Sequence, residues 1–205
     1  MRLKVISVFA AISMVFTGGV LAHQHGGGDH AEQSEYTKFE VDAAHTQVGF
    51  SVRHLGIVNV RGVFTDYEAS LKMSEDDFST TQLEFTIEAA SIDTGVGARD
   101  DHLRSADYFE VETYPEITFV STGVQRHGTG HAMTGKLTIK GVTQDVTLPV
   151  TFGGPVSDPW GNTRIGVELT GEINRHDFGV AYDAMADRSI SDTVRLDVQI
   201  QAIQQ

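Results

Sequence analysis

Nine histidines and no cysteine make imidazole the first chemistry to look for in this chain. His54, His102, His127, His131 and His176 stand apart from one another, with no H-E-x-x-H pair and no helical spacing that would aim two of them at one metal ion. The run HQHGGGDH, from His23 to His30, is different. A cut after Ala22 would leave a free amine on His23 and make His25 the third residue. The amine, two backbone amide nitrogens and the His25 imidazole then form a square-planar set suited to copper(II) or nickel(II). The alternative is a solvated tail whose histidines do nothing.

Nucleophilic and phosphate chemistry find little support. There is no thiol and no G-x-S-x-G elbow, and Glu75, Asp76 and Asp77 read as a solvated loop. The segment GHAMTGKL places Gly130, Gly135 and Lys136 at phosphate-loop spacing, but Leu137 stands where Ser or Thr must ligate magnesium and the context is a strand hairpin. The densest polar group is ARDDHLRSADYFEVETYP, which gathers Arg99, Asp100, Asp101, His102, Arg104 and Asp107 around one short helix expected near residues 96–106. One reading makes it a salt-bridged lid with Leu103, Tyr108 and Phe109 turned inward. The other presents Arg99, His102 or Arg104 to an anionic or carbonyl head group.

The elements that must position these groups follow from periodicity. Residues 1–22 read as a secretory signal peptide: Arg2 and Lys4, an apolar run to Val20, then Val20 and Ala22 at minus three and minus one. The apolar run, about 16 residues, falls short of the roughly 20 that span a bilayer, so no stable membrane anchor is expected. Residues 23–35 are a polar, Gly-rich tail, and one domain fills 36–205. There the apolar residues alternate with period two in eight segments. They run through Val48, Phe50 and Val52; Val58, Val60 and Phe64, with Leu71 and Met73 after a bend; Leu83, Phe85 and Ile87; and Ile117 and Phe119. The rest run through Met133, Leu137 and Ile139; Val146, Leu148 and Val150; Ile165, Val167 and Leu169; and Val194 to Ala202. Turn signals at 126–131, 139–145 and 157–162 join them as antiparallel neighbours. The expected fold is all-β, an extended eight-stranded antiparallel up-and-down barrel, lipocalin-like, with one short helix; a two-sheet sandwich is the alternative.

A barrel of this size is filled by side chains or holds one slender ligand. The inward faces carry no acid or base, and a ten-residue strand of roughly 33 Å could flank an extended lipid tail. Ordinary core packing is the competing use of the same residues. Net charge is −13. Loss of Arg2 and Lys4 with the leader would leave 13 basic against 28 acidic residues, or −15. That balance opposes nucleic acid and anionic surfaces as partners.

Four segments give the chain a family resemblance: DAAHTQVGFSVRHLGIVNVRGVF (42–64), SIDTGVGARDDHLRSADYFEVETYPEITF (91–119), GKLTIKGVTQDVTLPV (135–150) and INRHDFGV (173–180). In order and content the chain resembles the YceI-like family of secreted lipid-binding proteins over about residues 36–203. The resemblance implies a barrel that holds a polyisoprenoid or other long-chain amphiphile, such as an isoprenoid quinone or fatty amide. It implies no catalysis and no required cofactor or metal. On the matched segments the tunnel candidates are Phe50, Val52, Val60, Phe64, Phe85, Ile87, Phe119, Leu137 and Leu148. The pocket-mouth candidates are His54, Arg99, His102, Arg104 and Phe109. The His-rich tail lies outside the family pattern, so His23 and His25 inherit nothing from it. The expectation is an exported, periplasmic, non-enzymatic carrier or store of lipid, with homodimerisation left open. Its rivals are a metal-binding or stress protein working through the tail, and an enzyme acting on a bound lipid with His54, His102 or the Arg99 and Asp100 pair as acid–base groups.

Overall fold

The structure is a computed structural model that describes residues 36–74, 77–181 and 189–205. Period-two alternation becomes strand wherever the sequence carries it. In β5 (Gln82–Glu88), Leu83, Phe85 and Ile87 point inward while Gln82, Glu84 and Thr86 face out, as a one-sided sheet requires. The other strands are β1 (Thr37–Val41), β2 (Gln47–His54), β3 (Val58–Phe64), β4 (Tyr67–Met73), β6 (Ile92–Asp93), β7 (Glu116–His127), β8 (Gly130–Ile139), β9 (Val142–Ser157), β10 (Thr163–Asn174) and β11 (Ile190–Gln204). Among the described residues one α-helix, α1 (Gly97–Arg104), follows β6.

Every described pairing is antiparallel, in the order β1-β4-β5-β7-β8-β9-β10-β11, and β11 pairs back to β1 through Val41 and Ala202. This is a closed eight-stranded barrel, so the sheet has no free edge along that ring. The sandwich alternative does not occur. β2 and β3 are not extra staves: β1 and β2 form one stave bent at Ala43–His45, and β3 and β4 another bent at residues 65–66. The sequence placed the second bend and missed β1, whose five residues bury only Phe39 and so show no period. Beyond the bends, β2 pairs with β11 and β3 with β2, while β6 holds β3 by two residues, Val63 opposite Asp93 and Phe64 opposite Ile92. Helix α1 packs beside β6, Arg104 bonding the Ala90 and Ile92 carbonyls, and Phe109 beyond it meets Phe64 of β3.

The barrel ends differ. The lower end carries the β7–β8 and β9–β10 hairpins and residues 77–81. There Phe78 stacks on Phe152 at 4.7 Å, with the His131 ring edge-on to both. Arg164 ties the β9–β10 turn to the β1 end, its Nε donating to Asp158 at 2.7 Å and its Nη1 to Asp42 at 2.7 Å. Hydrogen bonds from Arg164 and His45 hold the Asp42 carboxyl below its ordinary range. At the upper end β8 turns into β9 through Lys140 and Gly141, both at positive φ (48° and 74°), the two-residue hairpin whose twist matches that of its strands. Here too the chain behind the phosphate-loop spacing is plain β8 strand, with Lys136 paired to Asp145 at 2.9 Å on the outside.

Candidate functional site

Inside the barrel the two halves are packed differently. Phe39, Leu71, Met73, Leu83, Met133, Val167 and Ala202 fill the lower half, each buried to within a few per cent. The register makes this block: Val124 lies opposite Met133 and Met133 opposite Leu148. The upper half holds a cavity of about 470 Å³, within the roughly 300–1,000 Å³ of small-molecule sites.

All nine expected tunnel residues stand in its wall. Phe50 and Val52 come from β2, Val60 and Phe64 from β3, Phe85 and Ile87 from β5, Phe119 from β7, Leu137 from β8 and Leu148 from β9. Cross-strand register brings them together, with Phe85 opposite Phe119 and Phe119 opposite Leu137. Glycine sets how closely they pack. A Cβ on Gly135 would run into the Phe119 ring, and one on Gly62 would lie 2.5 Å from the Phe50 ring, so both positions exist to receive an aromatic face. Phe50, Phe64 and Phe109 form a row, with ring centroids 5.6 Å and 6.0 Å apart. Ile117, Ile139, Leu169, Leu196 and Val198 also line the cavity. They were legible as inward strand positions, and only the register assigns them to the open half.

One expectation fails on length. The roughly 33 Å of a full strand is not available to a ligand, because the lower block of Met133, Val167 and their neighbours closes the barrel. The cavity follows β2 only from Val48 to His54, about 20 Å of strand.

Polar groups gather at the upper rim. Of the pocket-mouth candidates, His54, Arg99, His102 and Phe109 line the cavity. Arg99 is held by Thr94, donating from Nε to Thr94 Oγ1 at 2.6 Å and from Nη2 to Thr94 O at 2.7 Å. Thr94 is fixed in turn by the buried Asp100, which accepts from the Thr94 amide and hydroxyl. His102 bonds Asp107 at 2.9 Å and sets its ring edge-on to Tyr108. Arg104 does not line the cavity. Its guanidinium donates to the carbonyls of Ala90 and Ile92, both at 2.7 Å, and to Asp101 at 3.1 Å, so it pins α1 to the barrel in place of meeting a ligand. Of the two readings of the 99–107 cluster, the structural one takes Arg104 while Arg99 and His102 remain at the cavity.

Sequence reasoning missed Arg175 and Phe178, both buried and both in the wall. They sit on a 3-10 turn, Arg175–Phe178, where no strand period applies. The available signal was local. Asn174 caps the turn by accepting from the His176 amide, and Gly179 leaves it at φ 69°, an N-cap and left-handed exit with a known residue signature. Arg175 spends its donors on the Ser191 and Val180 carbonyls, each at 3.0 Å, joining this turn to β11.

Among the described residues no carboxylate lines the cavity, and no cluster of three or more His, Asp or Glu is placed to hold a metal ion; His23 and His25, the metal set in one of the two readings of the tail, lie outside them. No described helix is long and apolar enough to cross a membrane.

Fold and site thus define a closed antiparallel barrel with an apolar internal cavity whose described lining includes the polar side chains of His54, Thr94, Arg99 and His102. The YceI-like domain model matches residues 39–202, and the chain belongs to the YceI-like family. It is 34% identical over 197 residues to "Protein YceI" of Salmonella arizonae, covering 96% of each chain. The Burkholderia cenocepacia BcnA crystal structure superposes with a TM-score of 0.71 at 28% identity, over 79% of this chain and 99% of that one. A structure from Saccharophagus degradans described as a polyisoprenoid binding domain shares the fold at 20% identity, TM-score 0.57, over 83% of this chain and 98% of that one.

Proposed function

We propose that this protein is exported to the periplasm, loses residues 1–22, and holds a polyisoprenoid or other long-chain amphiphile without chemically changing it. The observation that carries the reading is the cavity itself: about 470 Å³ of apolar space that neighbouring side chains leave open while the other half of the same barrel packs solid. Interiors normally pack to crystal-like density, so an apolar space of this size is a cost unless something occupies it. A tail entering it leaves water at a gain of about 0.8 kcal/mol per methylene. The head group would remain at the rim, where the Arg99 guanidinium and the imidazoles of His54 and His102 can donate hydrogen bonds to anionic or carbonyl oxygen. The barrel fold shared with the Saccharophagus domain is compatible with this; the ligand reading rests on the cavity.

The closed lower half gives a sharp test. In a homologous series of amphiphiles titrated against processed protein, affinity rises about fourfold per methylene until the tail reaches the block around Met133, then levels off. Binding that ignores tail length, or that climbs without a plateau, contradicts the assignment.

A further inference from the structure

The cavity opens beside a hairpin whose surface is wrong for a soluble protein. At the β2–β3 turn Leu55, Ile57 and Val58 are 62%, 76% and 53% exposed. Leu55 adopts φ 50° and Gly56 φ 71°, with the Ile57 amide donating to the His54 carbonyl at 3.0 Å. A large apolar residue in the left-handed region of an exposed turn is strained where Asn would be favoured, and such strain marks positions kept for use. The turn is braced: the Leu55 amide donates to Ser189 O at 2.7 Å, and Arg53 Nε donates to Gly56 O at 3.2 Å.

Along the chain, the charge of this hairpin runs against the rest of the sequence. Residues 43–65 contain no Asp or Glu, in a chain with 28 of them. Arg53 and Arg61 are exposed on either strand of the hairpin, and neither forms an ion pair among the described residues. Among the described residues the nearest acids in register are Asp93, opposite Val63, and Asp197, opposite Gly49, both at the hairpin base, with Asp192, which His176 holds at 3.0 Å, beside the β11 end. Screening limits exposed charges to about 8–10 Å at cellular ionic strength, so this patch acts by its own sign and not by the net charge of −13.

We propose that the β2–β3 hairpin is a membrane-docking finger: Leu55, Ile57 and Val58 enter the interface of an anionic lipid leaflet while Arg53 and Arg61 meet its head groups. His54 and Val60, on either side of the exposed residues, line the cavity, so docking sets the rim against the leaflet and lets a tail pass between them without crossing water. The inference rests on the lipid-binding reading of that cavity for its purpose, though not for its test.

The test uses processed protein, flotation with vesicles, and the double variant Leu55→Asn with Ile57→Ser, neither position lining the cavity. Wild type is expected to float with mixed phosphatidylglycerol–phosphatidylethanolamine vesicles. Two arginines at roughly 1 kcal/mol each predict about 30-fold weaker binding to pure phosphatidylcholine. The variant loses at least about tenfold on the anionic vesicles and keeps the wild-type melting temperature, since Asn relieves the strained turn. Equal flotation of variant and wild type overturns the proposal, as does equal binding to both vesicle types. So does a concentration-dependent dimer that the variant abolishes, which would assign the finger to a second copy of this chain. Uptake of a fluorescent long-chain probe from solution is measured in parallel. If wild type takes up no probe, the cavity reading fails, while flotation still decides the hairpin.

Discussion

Replacing Leu137 by Trp should separate stability from binding. Leu137 projects into the cavity from β8 opposite Phe119, whereas Met133, four residues earlier on the same face, is fully buried in the solid half. Enlarging a side chain in a packed core costs typically about 1–3 kcal/mol. Met133→Trp should show that penalty or more. Leu137→Trp has empty apolar space of about 470 Å³ before it, so it should cost less than about 1 kcal/mol and, by burying more surface, could stabilise. The indole would take the place of roughly five methylenes of a bound tail, about 4 kcal/mol or near a thousandfold in affinity. Urea unfolding of both variants gives the first comparison, and displacement of a long-chain fluorescent probe gives the second. If Leu137→Trp is destabilised as much as Met133→Trp, or binds the probe like wild type, the division of the barrel into open and filled halves is wrong.

The rim makes two different predictions for neighbouring arginines. Arg104→Ala, which strands the Ala90 and Ile92 carbonyls, should lower stability by about 2–3 kcal/mol and raise hydrogen exchange across α1. Arg99→Ala, which strands the Thr94 carbonyl, should cost less, about 1 kcal/mol, while weakening anionic ligands more than neutral ones of equal tail length. At the lower end, burial alone would raise the Asp158 carboxyl. Hydrogen bonds from Asn162 and Arg164 and the Asn162 and Trp160 amides outweigh it and hold the group well below the ordinary carboxylate range. A depressed folded pKa stabilises at pH values above the unfolded one near 4 and is lost as pH falls toward the folded one. The stability gap between wild type and Asp158→Asn should therefore be constant above about pH 5 and shrink below about pH 4. Copper(II) titration of processed protein against a His25→Ala variant separates the two readings of the tail: a tight equivalent that the variant loses supports the metal set, and equal affinity in both leaves the solvated tail.

The strands were legible because each buries one face, and period two needs only the sequence. The same period put Phe85, Phe119 and Leu137 on the inward face, and their register then set them side by side in the cavity wall. It did not say which inward residues meet each other. Met133 and Leu137 look alike in a strand pattern, yet one closes the barrel and the other faces open space, a difference fixed by what Val124, Leu148 and Phe119 do across the ladder. Arg99 and Arg104 were equally indistinguishable. Helix α1 turns one toward Thr94 and the rim and the other onto the backbone of residues 90–92. Arg175 and Phe178 escaped for another reason, lying on a short turn whose caps announce a stop without saying what it buries.

The central claim, that the upper cavity holds a long-chain amphiphile, is tested most directly by the mass of whatever leaves the protein. Native mass spectrometry of protein exported and purified without detergent should show the processed chain with one bound molecule, which organic extraction releases as an isoprenoid or long-chain lipid and which Leu137→Trp lacks. Protein that is empty under those conditions and takes up no added isoprenoid quinone, or carries the same lipid in the Leu137→Trp variant, would contradict the account.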